Sequence, residues 1–385
     1  MTSRIEPFHL AIRDEDLSDL RYRIDRTRWP DKETVEDWSQ GAPLAKVKAL
    51  VEYWGTAYDW RRCEAMLNEF GQFHTPIDGI SVHFLHVRSP HADALPIILT
   101  HGWPGSVIEF HKVIAPLTRP DEYGGDAGDA FHVVVPSLPG FGFSDKPTLA
   151  SWTVPRIARA WSGLMRRLGY ERFVAQGGDW GAGVTTALGL QRPAELAAIH
   201  LNFPLVCPDV LPHDSLIIEE QEALSALNAY VTNESGYAKQ QATRPQTVGY
   251  GLTDSPAALA AWIYEKFHNW TDCDGDPESV LTLDDMLDNI SIYWLTGTGT
   301  SSGRTYWHNA GAVAGGFAGP VLDIPVGCSI FPREIYRAPR RWAERKYKNL
   351  IYWNEPERGG HFAAFEQPAI FADELRNCFR GIRAN

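Results

Sequence analysis

The sequence predicts an α/β fold: a doubly wound, mostly parallel sheet with a helical insertion, preceded by an N-terminal helical and hairpin segment. Three observations carry this. From Leu95 onward, short apolar runs alternate with helical stretches, the grammar of parallel strands joined by crossover helices. Gly177, Asp179 and Gly181 stand at alternate positions between an apolar run and a helical stretch, the spacing of a sharp strand-to-helix turn. Between about Phe203 and Gly319 the alternation stops and the chain becomes helical and aromatic.

In the N-terminal segment, Leu17, Leu20 and Ile24 fall at helical spacing, and Trp29-Pro30 ends that run. Further helices are predicted at about Pro43 to Tyr58 and Trp60 to Phe70. Phe73 to Ile77 and Ile80 to Val87 alternate around Asp78-Gly79, a hairpin signal. This segment reads as a packing module on the core with no catalytic set of its own. The core begins with the buried strand Ile97 to Thr100, which runs into His101-Gly102-Trp103-Pro104-Gly105-Ser106. Phe131 to Val135 is the next strand, Pro155 to Leu168 a helix, and Arg172 to Gln176 the strand that enters the Asp179 turn. A helix from Gly181 to Leu190 leaves that turn, and Ala197 to Asn202 is a further strand. Strands resume at Val326 to Phe331 and Leu350 to Trp353, and Pro368 to Phe379 is a closing amphipathic helix. The expected divisions are 1–92, 93–204, 205–318 and 319–385. The third is a lid above the strand ends, closed by the Gly-rich run Gly311 to Gly319.

Composition narrows the function. A formal net charge of −12 with no offsetting basic cluster disfavours nucleic acid and anionic membrane as partners. Cys63, Cys207, Cys273, Cys328 and Cys378 are scattered and odd in number, with no CxxC pair, which argues against a disulfide framework and a zinc site. No run approaches the ~18 apolar residues of a membrane span, so a reducing, cytoplasmic setting is expected. Fourteen Trp suggest an aromatic-lined interior or pocket. Asp272-Cys273-Asp274-Gly275-Asp276 has a faint calcium-loop look, but Pro277 stands where that loop requires Gly, and a solvated turn is the better reading. No cofactor and no metal are expected.

The turn at Asp179 has the form of a nucleophile elbow, with a carboxylate where a serine is usual. A carboxylate attacking an sp3 carbon forms an alkyl ester, whereas a serine attacking a carbonyl forms an acyl enzyme. The bland alternative is a glycine-rich turn with a capping Asp, so the case depends on partners. Ester cleavage needs a base, and the base needs an orienting carboxylate. His361 follows the last strand, in Glu357-Arg358-Gly359-Gly360-His361-Phe362, and fits the base. Glu334, in the loop after the preceding strand, fits the acid. Asp323 lies before that strand, at the wrong end of the sheet, and Glu355 and Glu357 are too near His361 in sequence. The tetrahedral oxyanion calls for two N–H donors, expected from the backbone of Trp180 and of Trp103. Ser106 has no elbow around it and reads as a helix cap.

Taken together, these motifs resemble the epoxide hydrolases of the α/β-hydrolase superfamily, in the branch of the microsomal and juvenile-hormone enzymes. The resemblance spans nearly the whole chain. It includes Pro7-Phe8, Thr27-Arg28-Trp29-Pro30, His101 to Ser106, Gly177 to Gly181, Phe331-Pro332-Arg333-Glu334 and Gly359 to Ala364. It implies that Tyr237 and Tyr306, which match the two lid-tyrosine segments of the family, donate hydrogen bonds to the epoxide oxygen. It also implies small-molecule epoxide and water as partners, with a homodimer left open. Microsomal relatives begin with a membrane anchor that this sequence does not show, so it resembles a soluble member. A haloalkane dehalogenase shares the Asp nucleophile, the His base and a Trp after the Asp. A catalytically silent hydrolase fold acting as a binding module is the remaining alternative.

Overall fold

The structure, a computed structural model, describes residues 4–207, 216–311 and 320–383. Among the described residues nine strands form one sheet in the order β1-β2-β3-β5-β4-β6-β7-β8-β9. They are Glu6–Pro7 (β1), Gln72–Ile77 (β2), Ile80–Val87 (β3), Leu95–Thr100 (β4), Phe131–Pro136 (β5), Phe173–Gly177 (β6), Leu196–Leu201 (β7), Leu322–Ser329 (β8) and Tyr347–Asn354 (β9). From β5 across to β9 every pairing is parallel. These strands are rich in Val, Ile and Leu and mostly buried, as expected where helices cover both faces of a parallel sheet.

The chain leaves β4 for β5 on one side and returns to place β6 on the other. A parallel sheet opens a crevice where its winding reverses, beyond the carboxyl ends of the strands. The His101–Ser106 loop and the turn at Asp179 leave from those two neighbouring ends.

The N-terminal hairpin forms where alternation placed it. β3 pairs antiparallel with β5, so the hairpin extends the main sheet, and the short β1 pairs with β2. Three helices, Asp14–Asp25, Leu44–Thr56 and Trp60–Glu69, follow the expected spacing closely. Their outward contacts go to the insertion. Trp54 Nε1 donates to Ser291 Oγ (2.9 Å), Tyr58 OH to Asp288 Oδ1 (2.8 Å), and Arg62 pairs with Asp288 at 2.6 Å.

The insertion between β7 and β8 contains helices Ile218–Ala229, Gly236–Thr243, Pro245–Asp254, Pro256–Trp270, Leu283–Leu295 and Gly299–His308. The buried helix Leu283–Leu295 reaches the strand-end loops on its other side. There Asn289 Nδ2 donates to Pro104 O and Tyr293 OH to Gly105 O, each at 2.7 Å. The N-terminal helices thus brace one helix of the insertion, and that helix braces the loop after β4. Most of the Gly-rich run expected to close the insertion, residues 312–319, lies outside the described residues.

Candidate active site

The site begins with backbone geometry. β6 ends at Gly177, Gly178 caps the helix Asp179–Gln191, and Asp179 sits at φ 48°, in the left-handed region. For a residue with a side chain this conformation costs roughly 1–2 kcal/mol, which the surrounding packing sustains. The turn closes only around glycines. A Cβ on Gly177 would lie 2.1 Å from Gly181 O, and one on Gly181 would lie 1.9 Å from Thr100 O.

Asp179 stands where the loops from β4, β8 and β9 converge. Its Oδ1 accepts the backbone N–H of Trp103 at 2.8 Å. Its Oδ2 faces His361 Nε2 at 3.4 Å. Trp180 is in the first turn of the helix, where backbone N–H groups have no intrahelical acceptor. His361 Nδ1 meets Glu334 Oε1 at 2.6 Å, and both residues are buried. With Nδ1–H donating to Glu334, Nε2 faces Asp179: in the imidazolium it carries the second N–H, and in the neutral ring it carries the free lone pair. Burial works against a charge on His361, but the carboxylates of Glu334 and Asp179 outweigh it and hold the imidazole well above its ordinary pKa.

The competing acids are occupied elsewhere. Asp323 lies inside β8 rather than before it, close to the start of that strand, and pairs with Arg192 at 3.1 Å. Glu355 pairs with Arg337 at 3.1 Å. Ser106 Oγ caps a 3-10 turn by accepting from Ile108 N (3.3 Å) and donates to Asn289 Oδ1 (2.8 Å), so it is held as a structural group. Asp272 takes part in the site's frame: its Oδ2 accepts the N–H of Gly359 at 2.9 Å, and Arg333 pairs with its Oδ1 at 3.4 Å.

Tyr237 and Tyr306 enter from helices Gly236–Thr243 and Gly299–His308, and both are buried. Tyr237 stacks on Trp103 with ring centroids 4.8 Å apart and planes 10° from parallel. Tyr306 meets Trp180 edge to face at 4.8 Å, and the two tyrosine rings are 5.7 Å apart. Burial first, then nearby tyrosines and Asp179, push both phenols well above their ordinary pKa, which leaves them neutral donors.

Two residues of this frame carry no motif. Tyr230 OH lies 2.9 Å from Tyr237 OH, and the signal for it is a separation of seven residues, two helical turns. Glu366 accepts the N–H groups of Asp272 (2.8 Å), Gly360 (3.1 Å) and Phe362 (3.0 Å), which fixes the residues on both sides of His361. Burial raises its pKa to about 7, against the pull of those backbone donors. Among the described residues no group of His, Cys, Asp and Glu is arranged to hold a metal ion, and no helix is long and apolar enough to cross a membrane.

Comparison with known proteins gives a consistent picture. The family model described as Epoxide hydrolase N terminus matches residues 5–110, and that of the alpha/beta hydrolase fold matches 96–253. A Stigmatella aurantiaca protein that bears the epoxide hydrolase name is 64% identical over 99% of this chain and 86% of its own length. Epoxide hydrolase 1 of Sus scrofa is 36% identical over 98% of this chain and 89% of its own. The crystal structure of juvenile hormone epoxide hydrolase from the silkworm Bombyx mori superposes with a TM-score of 0.90 at 30% identity, covering 100% of this chain and 96% of that one. That of Aspergillus niger epoxide hydrolase gives 0.87 at 33%, covering 99% and 97%.

Proposed function

The chain belongs to the epoxide hydrolases of the α/β-hydrolase fold, and from that premise we propose that it opens a bulky, apolar epoxide to a vicinal diol through an ester on Asp179. One observation carries the reading. The two oxygens of Asp179 face different partners, Oδ1 the N–H of Trp103 and Oδ2 the His361 ring, beneath two buried tyrosines.

In the first step Asp179 Oδ2 attacks one ring carbon. The breaking C–O bond leaves charge on the epoxide oxygen, and the O–H groups of Tyr237 and Tyr306 donate to it. An alkoxide is strongly basic, so it needs donors of high pKa that stay protonated at the working pH, and burial makes both phenols such donors. In the second step His361, oriented by Glu334, takes a proton from water, and the oxygen of that water bonds to the ester carbon. Charge passes to Oδ1, where the N–H groups of Trp103 and Trp180 receive it. The bond between the ester carbon and Oδ2 then breaks, His361 returns its proton to Oδ2, and the diol leaves with that oxygen. The other hydrogen of the water, left on the new Asp179 carboxyl, replaces the proton that a tyrosine gave to the epoxide oxygen. Esterification also removes the charge of Asp179, and with it part of what holds a proton on His361, so the imidazole is released toward the neutral form that can take a proton from water once the ester exists.

The rings of Trp103, Trp180, Trp270, Tyr237 and Tyr306 pack around this space, which supports an aromatic or otherwise bulky apolar substrate. The insertion acts as the lid that keeps bulk water out. Cysteines that are scattered, odd in number and without a CxxC pair fit a reducing cytoplasm, and the charge of −12 fits a protein with no nucleic-acid partner.

A single turnover in 18O-water tests the mechanism. The first diol carries unlabelled oxygen from Asp179, and the label enters the Asp179 carboxylate. Label appearing directly in that diol would mean that water attacks the epoxide itself. Halide release from chloro- or bromoalkanes without epoxide turnover would move the reading to dehalogenation.

A further inference from the structure

Asp179 and His361 line a cavity together with Gln176, Asn202 and Glu109, with room for a water molecule and little more. Glu109 comes from the 3-10 turn Val107–Phe110, just after the loop that supplies the Trp103 N–H. Its carboxyl is wedged so closely against Gly105 that a Cβ there would lie 1.1 Å from Oε1. Any larger residue at 105 would therefore displace the acid. Among the described residues no group hydrogen-bonds this carboxyl, although its charge is coupled to those of His361 and Asp179. A carboxyl enclosed in a protein is normally partnered, and one that opens onto a water-sized space beside a base has water as its available partner.

Resting on the two-step reading above, we propose that Glu109 positions the hydrolytic water. One O–H of that water donates to His361 Nε2 and the other to the carboxyl oxygen of Glu109. With both hydrogens engaged, a lone pair is left facing the ester carbon of Asp179. When the proton passes to His361, the new O–C bond forms and the carbonyl electron pair moves onto Oδ1. Glu109 itself neither gains nor loses a proton. Burial, opposed by His361 and assisted by Asp179, lifts the Glu109 pKa to about 8, so at neutral pH it is mainly the neutral acid, with a carbonyl oxygen that accepts. Glutamine reproduces that acceptor at the same reach. Aspartate is one methylene shorter, and leucine has no acceptor at all.

The test measures ester formation and ester hydrolysis separately, by quenched flow with styrene oxide and intact-protein mass, for wild type, E109Q, E109D and E109L. E109Q is expected to hydrolyse the ester within a few-fold of wild type. E109D and E109L are expected to be slower by on the order of 10²-fold, the cost of a reactant misplaced by about 1 Å, with ester formation little changed. Should E109L fail to fold, E109D against E109Q decides: a role in charge alone predicts the opposite order, and a role in packing alone slows ester formation and ester hydrolysis together. Hydrolysis in E109D or E109L at the wild-type rate overturns the proposal, as does an equal fall in both steps. If no protein of the set forms an ester, and His361→Gln forms none either, the two-step reading itself fails and takes this proposal with it.

Discussion

Asp179, Glu334 and His361 stand on loops leaving β6, β8 and β9, whereas Tyr237 and Tyr306 reach the same space from helices of the insertion. The sheet-borne group is fixed by polar contacts of defined direction: 2.8 Å from Trp103 N to Asp179, 2.6 Å from His361 to Glu334, and three backbone N–H groups on Glu366. The insertion-borne pair is held mainly by ring packing, at 4.8 Å against Trp103 and 4.8 Å against Trp180. Proton transfer tolerates little error in distance, and the directed polar contacts lie in the half that the proposed mechanism uses for it. On the proposed mechanism the two halves meet at ring opening, where the insertion-borne tyrosines donate to the oxygen that Asp179 displaces, and the sheet-borne half alone carries ester cleavage.

Removing the nucleophile gives the largest effect. Asp179→Ala is expected to lose diol formation by on the order of 10⁴-fold or more and to form no covalent adduct. His361→Gln, in the same half, is expected to form the adduct and retain it, visible as an added substrate mass on the intact protein. An adduct on Asp179→Ala would place the nucleophile elsewhere and dissolve the division. The tyrosines come next. Tyr237→Phe and Tyr306→Phe should each slow ester formation by about 10²-fold, the scale of one lost donor to a developing oxyanion, and leave hydrolysis of the formed ester close to wild type. Pre-steady-state traces separate the two rates. A fall in hydrolysis alone would put the tyrosines in the wrong half.

The sheet-borne half was largely legible in the sequence because it follows topology. Once β6, β8 and β9 are recognised as apolar runs, the nucleophile, acid and base must lie just beyond their carboxyl ends, and Asp179, Glu334 and His361 do. Even the misplaced start of β8 did no harm, since Asp323 is remote from the carboxyl end wherever the strand begins. What escaped the sequence depends on contacts between distant segments. Glu366 reads as one acid in an apolar stretch until Asp272, 94 residues away, supplies one of its donors. The pairing of β3 with β5 is equally invisible, because alternation defines a hairpin but not the strand that lies beside it. Glu109 looks like an ordinary first-turn carboxylate, and only the fold reveals that it faces a cavity. For the tyrosines, helical periodicity names a face without saying what the face meets, so their selection rested on resemblance.

Tyr230 offers the finest test of the comparison. Its hydroxyl lies 2.9 Å from Tyr237 OH, and it rises from a five-residue π-helical turn, Tyr230–Glu234, that leads into the helix of Tyr237. On the proposed mechanism Tyr237 donates to the epoxide oxygen, so in the reacting complex Tyr230 is left to donate to Tyr237, and that second bond strengthens the first. Burial raises the Tyr230 phenol to about 12, which keeps it protonated for this task. Tyr230→Phe removes one hydroxyl and leaves the ring packing in place. A single neutral hydrogen bond is worth about 1 kcal/mol, so ester formation should slow by roughly fivefold and ester hydrolysis should not change. The effect should vanish when Tyr237 is already Phe, because the two hydroxyls then no longer share a bond. An undiminished effect in that double variant would mean that Tyr230 acts on the substrate directly, and the insertion would then hold three donors instead of two.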